Sequence, residues 1–324
     1  MPAVPDPAAQ RTPPSPATIS RIAVGVDGQP EGNDAVVLGK ALADVMQADL
    51  LLVAVHPDPL VVLPEERNWR SLEEQAASLL GETCDSFAPG ARAVVETDMS
   101  VPRGLERVVR REDRDLLVVG SSRHGADGRV RIGKRTRQLL GHCKCALAIA
   151  PRGIHGKHRR GLTAVGVGYD GGPESDEAVA LAGSIALAAG AKLHLCGVVD
   201  DRLSSIGWSA LAADGAVLAR REEAVRAEMD ALGDFGLSAA KATGASVRAE
   251  IRRGRPADAL LKLSATVDLL VIGSRRWGPV SRLLLGSTGE ALGHDAACPL
   301  LVVPRPAVES DPEFADPMSG AEHG

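Results

Sequence analysis

Aromatic residues are nearly absent: three Trp, one Tyr and three Phe make up 2% of the chain. Single-stranded nucleic acids are gripped by stacking on aromatic side chains, so this composition argues against such a partner. A net charge of -5 argues equally against a protein that neutralises a phosphate backbone with Lys and Arg. Long apolar runs are missing too, none approaching the ~20 residues that span a bilayer, which excludes a membrane partner. The first eighteen residues hold six prolines and no apolar stretch of the kind a secretory signal needs. Cysteine is scarce, with five residues (Cys84, Cys143, Cys145, Cys196, Cys298) and no C-x-x-C spacing. An odd, unpatterned set excludes a disulfide framework or a zinc ribbon and fits free thiols in the reducing cytoplasm. Redox chemistry at Cys143/Cys145 is the alternative.

What is present is an aliphatic core. Hydrophobic residues make up 44% and charged residues 24% of 324 positions, too long a chain for one ordinary core, so two domains are expected. The chain also repeats itself. Val118-Val119-Gly120-Ser121 returns as Val271-Ile272-Gly273-Ser274, Gly133 as Gly286, and the run from Cys145 to Arg152 as the run from Cys298 to Arg305, all 153 positions later. Asp27-Gly28 returns as Asp170-Gly171 at an offset of 143, so the second copy is longer in its middle. A constant offset across separated segments marks a duplication.

Each copy alternates short apolar runs with helical spacing. In the first, strands are expected at 21–26, 50–55, 91–96, 116–120 and 146–150, with helices at 33–46, 69–87, 103–111 and 134–140. In the second, strands fall at 163–168, 192–199, 246–252, 268–272 and 299–303, and helices at 174–189, 216–232, 256–265 and 287–294. Strands apolar on both faces and separated by helices mean a parallel sheet covered on both sides. The fold class is therefore α/β, two doubly wound, mostly parallel five-stranded sheet domains of Rossmann-like type. The expected layout is a Pro-rich disordered tail (1–18), domain 1 (19–152), a basic linker (153–161), domain 2 (162–305) and an acidic disordered tail (306–324).

Ligands of such sheets sit beyond the carboxyl ends of the strands, where strand order reverses. Two kinds of loop leave such ends here. One carries Asp27-Gly28 or Asp170-Gly171, whose carboxylate can accept hydrogen bonds from a ribose or an adenine amino group. The other is glycine-rich and enters a helix, offering backbone N–H groups to phosphates. In the second copy it runs from Gly273 through Arg276 and Gly278 to Gly286-Ser287-Thr288. In the first it runs from Gly120 through Arg123 to Gly133-Lys134, with six Lys or Arg between Arg123 and Arg137 that could clamp an anion or simply face solvent. Gly128 to Lys134 imitates a P-loop, but Arg135 follows where a Mg²⁺-binding hydroxyl is needed, and the motif starts too far beyond its strand.

The segment Gly273, Gly286, Ser287 resembles the ATP-binding motif of the universal stress protein family: Gly, two residues, Gly, nine residues, then Gly and Ser or Thr. Arg276 replaces the second glycine, with Gly278 two positions on. The resemblance extends to the Asp170-Gly turn, the Gly254-Arg-Pro-Ala turn and the closing strand before Pro304, and it spans nearly the whole chain twice, as a tandem member.

It implies the adenine-nucleotide α-hydrolase-like variety of the fold and ATP as ligand, with Mg²⁺ allowed alongside it. Asp170 would contact adenine or ribose, the Val198 backbone would bond adenine, and Gly273, Gly286, Ser287 and Thr288 would hold ribose and phosphates. Arg276 would crowd the phosphates or pair with them. Asp27, Val55, Gly120, Arg123, Gly133 and Lys134 would form a weaker first-copy site. The alternative is that the glycines only permit tight positive-φ turns.

No metal-binding carboxylate or nucleophile-orienting group accompanies either loop, so the expectation is a nucleotide-binding stress-response regulator without catalytic residues or a resident metal. Its alternatives are a nucleotide-free interaction scaffold and a slow ATPase. The closing strands, 146–150 and 300–303, are expected to pair within one chain, with homodimerisation as a further option.

Overall fold

The computed structural model describes residues 18–56, 67–156, 161–200, 215–274 and 285–304. The first copy runs β1 (Arg21–Val26), α1 (Pro30–Met46), β2 (Asp49–His56), α2 (Arg67–Phe87), β3 (Arg92–Thr97), α3 (Val101–Arg111), β4 (Leu116–Gly120), α4 (Lys134–His142) and β5 (Ala146–Ala150). The second runs β6 (Ala164–Tyr169), α5 (Pro173–Ala189), β7 (Lys192–Val199), α6 (Gly215–Ala242), β8 (Ser246–Arg253), α7 (Pro256–Ser264), β9 (Leu269–Gly273), α8 (Ser287–Asp295) and β10 (Leu300–Val303).

The strands form one ten-stranded sheet in the order β3-β2-β1-β4-β5-β10-β9-β6-β7-β8. Pairing is parallel throughout except at the middle, where β10 runs antiparallel to β5 with Leu301 opposite Ala148. The chain is thus α/β, two doubly wound halves joined at a central seam.

Side chains alternate across a strand, so each strand feeds two cores. Ile22, Val24, Leu116 and Val118 share one face with Leu38 and Leu42 of α1 and Leu80 of α2, while Ile185 of α5 and Ala240 of α6 serve the second half. Ala23, Leu117 and Val119 face the other way, onto Leu105 and Val108 of α3 and Leu139 of α4, with Leu260 of α7 and Leu292 of α8 beyond the seam. Four helices therefore cover each face.

β1, β4, β5 and β7 have the bounds expected from the sequence. α1 begins three residues earlier than expected, at Pro30, where a fixed φ and a missing N–H cost nothing. α6 continues to Ala242 instead of stopping at 232. Its glycines do not break it. A Cβ at Gly236 would stand 2.8 Å from the Tyr169 ring, and one at Gly233 3.3 Å from Ile251, so these glycines let the helix lie close on the sheet.

Two further features were not read from the sequence. Asp115 Oδ2 accepts hydrogen bonds from the Ser20 backbone N–H and hydroxyl and from the Arg21 N–H, and Asp268 Oδ2 does the same for Thr163 and Ala164. Each ties the start of its copy's first strand to the strand beside it. The start of the expected linker is also fastened, because Ile154 is buried and the Gly153 N–H donates to Asp34 Oδ2 at 2.7 Å. Residues 157–160 and both expected tails, apart from Thr18, lie outside the described residues.

Candidate functional site

A parallel sheet with right-handed crossovers puts strand C-termini and helix N-termini on the same side. In the second copy this assembles a cleft of about 270 Å³ between the ends of β6, β7 and β9. Residues from the first turns of three helices line it: Glu174 and Ser175 of α5, Pro256 of α7, and Ser287, Thr288 and Gly289 of α8. None of the three helices has a side-chain hydrogen bond at its N-cap, which is Gly172, Arg255 or Gly286. No N-cap side chain takes the free N–H groups of these N-termini, although each first turn carries acids of its own, Glu174 and Asp176, Asp258, and Glu290.

Asp170, Val198, Gly273, Gly286, Ser287 and Thr288, dispersed over 119 positions of sequence, all line this cleft. Arg276 and Gly278 lie outside the described residues. Cys196, Val198, Leu260 and Ile272 form an apolar side, and burial pushes the Cys196 thiol above its ordinary pKa, so it contributes as a neutral group. Asp170 after β6, Ser274 after β9, and Ser287 and Thr288 of α8 are polar members of the lining. Asp170 is exposed, and its Oδ1 accepts the Gly172 N–H at 2.9 Å in the turn that Gly171 closes at φ 76°. Among the described residues, the Ser274 hydroxyl is buried without a hydrogen-bond partner.

The other lining residues, among them Glu174, Ser175, Cys196, Leu260, Ile272 and Ser274, were missed by sequence reasoning. For the helix residues a signal existed, since every helix N-terminus of this topology points to the ligand side.

The cleft glycines are not explained by positive φ. Gly28 and Gly171 have it, but Gly120, Gly133, Gly273 and Gly286 do not. A Cβ on Gly273 would fall 2.5 Å from the Glu174 carbonyl oxygen, and one on Gly120 2.0 Å from that of Glu31. These glycines let a strand end pass beneath the first turn of a helix.

The first copy differs. Its cleft holds about 100 Å³ and is lined by Asp27, Val55 and Gly120 as expected, together with Glu31, Arg135 and Thr136. Arg123, Gly133 and Lys134 are not among its lining residues; Arg123 and Lys134 are exposed. Arg135 and Thr136, the equivalents of Thr288 and Gly289, line this cleft, whereas the equivalents of Gly286 and Ser287 do not. Small-molecule sites typically enclose roughly 300–1,000 Å³, so the second cleft lies near that range and the first well below it.

The loop after β4 closes on itself and on the other half. The Ser121 hydroxyl donates to the Ala150 carbonyl at 2.7 Å and accepts the Arg131 N–H at 3.1 Å. The Val130 N–H bonds the Ala296 carbonyl, and the Ile132 N–H bonds that of Gly293. Two of the six cations of this loop are directed at the second copy: Arg137 pairs with Glu290, and Arg129 lies against Asp295.

A tandem of doubly wound halves with a ligand-side cleft in each meets its relatives at this point. The profile of the universal stress protein family matches residues 18–151 and again 162–304. The chain belongs to that family. A universal stress protein of Mycolicibacterium smegmatis is 28% identical over 310 residues, covering 89% of this chain and 98% of the relative. One from Mycobacterium tuberculosis is 24% identical over 302 residues, covering 87% and 96%. Among solved structures, a universal stress protein of Archaeoglobus fulgidus matches with a TM-score of 0.61 at 21% identity, covering 88% of this chain and 98% of its own. One from Pseudomonas aeruginosa matches at 0.53 and 20%, covering 88% and 93%. These two are likenesses of fold. Among the described residues of this universal stress protein no helix is long and apolar enough to cross a membrane.

Proposed function

We propose that this universal stress protein binds an adenine nucleotide, ATP foremost, in the cleft of its second copy and turns it over little or not at all. One observation carries the reading: three helix N-termini without side-chain caps converge on a cleft whose rim bears Asp170 and whose inner wall is apolar. The donor set fits phosphates. Backbone N–H groups of Gly286, Ser287 and Thr288, with the Ser274 hydroxyl, would hold them. Cys196, Val198, Leu260 and Ile272 would take the base, and Asp170 the ribose or adenine amino group. Mg²⁺, when bound, would supply charge neutralisation at the phosphates. Turnover would require a positioned nucleophile, and the acids on this wall, Asp170 and Glu174, sit on the β6–α5 side rather than at α8.

The first copy is read as a scaffold, because its cleft is small and its loop is engaged with the second copy. We divide the domains at 19–152 and 162–305, place the protein in the cytoplasm on the strength of its five free cysteines, and take β5 against β10 as its resting state.

The test is direct. Protein purified under native conditions is examined by absorbance and mass spectrometry for co-purifying adenine nucleotide, then titrated with ATP and ADP by calorimetry while phosphate release is followed. Bound nucleotide without phosphate release above background supports the proposal. Absence of nucleotide together with no thermal shift at millimolar ATP overturns it in favour of a nucleotide-free scaffold, and steady phosphate release overturns the claim of low turnover.

A further inference from the structure

A duplicated domain that pairs with its twin inherits a two-fold surface, and residues on the axis meet their own equivalents. Arg137 and Glu290 are 153 positions apart, the spacing of the repeat, and their side chains meet with Nη1 2.5 Å from Oε1. Ala148 and Leu301 are likewise 153 positions apart and stand opposite each other where β5 crosses β10. Both are fully buried in the same core. At two points on the axis, equivalent positions therefore hold unlike residues: cation against anion, small against large.

The same asymmetry continues beside the axis. Ile132 of the first copy packs so closely on Gly293 that a Cβ there would lie 2.3 Å from the Ile132 side chain. The first-copy equivalent of Gly293 is Leu140, which has no room to offer. Arg129 donates to the Asp295 carbonyl at 2.9 Å, while the first-copy equivalent of Asp295 is His142.

We infer that the seam is a recognition surface matched to the unlike copy: the first copy's partner is a second copy and not another first copy. Pairing two first copies would set Arg137 against Arg137, leave a gap between two Ala148 side chains and drive Ile132 into Leu140. Pairing two second copies would oppose Glu290 with Glu290 and crowd two Leu301 side chains into the space of one. Like charges and mismatched volumes thus act against both like pairings, which is how a surface discriminates between near-identical partners. The inference rests on the β5–β10 pairing proposed above.

Exchange variants of the full chain test it. Arg137→Glu and Glu290→Arg are each expected to lower Tm by about 1–3 °C, less in high salt, and R137E/E290R to recover more than half of the summed loss. Ala148→Leu and Leu301→Ala are expected to cost more, roughly 5 °C or above, with A148L/L301A again recovering over half. Should the buried exchange fail to fold, the exposed charge exchange still decides. If all four single variants match wild type, the seam does not form in solution and the inference falls with it. If the single variants are destabilised but both exchanges are additive, the seam forms without discriminating, and the inference alone is overturned.

Discussion

Asp34 and His155, 121 positions apart, hold each other beneath the first half of the molecule. The carboxylate of Asp34, fully buried in α1, takes the His155 Nδ1–H at 2.7 Å, the His155 backbone N–H at 2.8 Å and the Gly153 N–H at 2.7 Å. The His155 ring also meets Phe87 edge-on at the end of α2. The chain leaving β5 is therefore tied back to its own half before it crosses to the next.

Removing that carboxylate strands three donors. Hydrogen bonds to a charged group contribute roughly 1.5–3 kcal/mol each, so Asp34→Ala is expected to cost about 3–5 kcal/mol after partial relaxation. Limited proteolysis should find new cleavage near residue 155 at the same time. A variant with unchanged Tm and an unchanged digestion pattern would contradict this account of the linker.

For the nucleotide site, Asp170→Ala is expected to weaken ATP binding ten-fold or more, the equivalent of roughly 1.5–3 kcal/mol for a lost charged hydrogen bond. Because Asp170 also accepts the Gly172 N–H within its own turn, Asp170→Asn is the informative control. Asparagine keeps the turn bond and loses the charge. Equal weakening in both variants assigns the effect to ligand contact, and full affinity in both removes Asp170 from the site.

Titration of the whole chain with ATP is expected to show one tight site per chain. The first copy offers Arg135 and Thr136 where the second offers Thr288 and Gly289, and its cleft is less than half as large. Calorimetry that resolves two sites of equal affinity would reverse the ranking of the copies.

Gly273→Ala is expected to damage the fold before it affects any ligand. Its Cβ would meet the Glu174 carbonyl at 2.5 Å, and overpacking of this kind costs roughly 1–3 kcal/mol. The loss should appear in nucleotide-free protein. If the variant melts with wild type and only ATP binding falls, the glycine serves the phosphates instead.

Acid sensitivity should concentrate at the outer edge of the first half. Burial pulls the Asp98 pKa upward, but the Ser100 N–H and the guanidiniums of Arg103 and Arg107 outweigh it and hold the carboxyl below its ordinary range. A carboxylate whose folded pKa is depressed stabilises the fold above its unfolded value, near 3.9, and loses that contribution as pH falls through the folded value. Asp98→Asn should therefore cost stability near neutral pH, with the gap to wild type narrowing below about pH 4. Urea midpoints measured across that interval check the sign, and a gap that widens in acid would refute it.

Much of this molecule is legible in its amino acids because the relevant physics is local. The runs at 116–120 and 146–150 are apolar on both faces, as a buried strand between helices requires, and their bounds, with those of 192–199, are the bounds of β4, β5 and β7. The 153-residue offset announces two copies, and Asp-Gly after a strand announces a turn at the ligand side. Gathering Asp170, Val198, Gly273 and Ser287 onto one cleft also follows from topology, once strand ends and helix starts are known to share a side. Other features depend on what lies across space. Gly233 and Gly236 look like helix breakers until Tyr169 and Ile251 are seen beneath them, because a missing side chain has no meaning without the neighbour that needs the room. The cations at 129 and 137 look like a phosphate clamp or a solvated face until Asp295 and Glu290 arrive from the other half, since a charge run carries no record of its partner. Sequence determined the strands, the helices, the duplication and the expected pairing of the closing strands through hydrophobic period and burial; tertiary structure alone decided which side chains meet across the seam, because only packing brings equivalent positions of two diverged copies face to face.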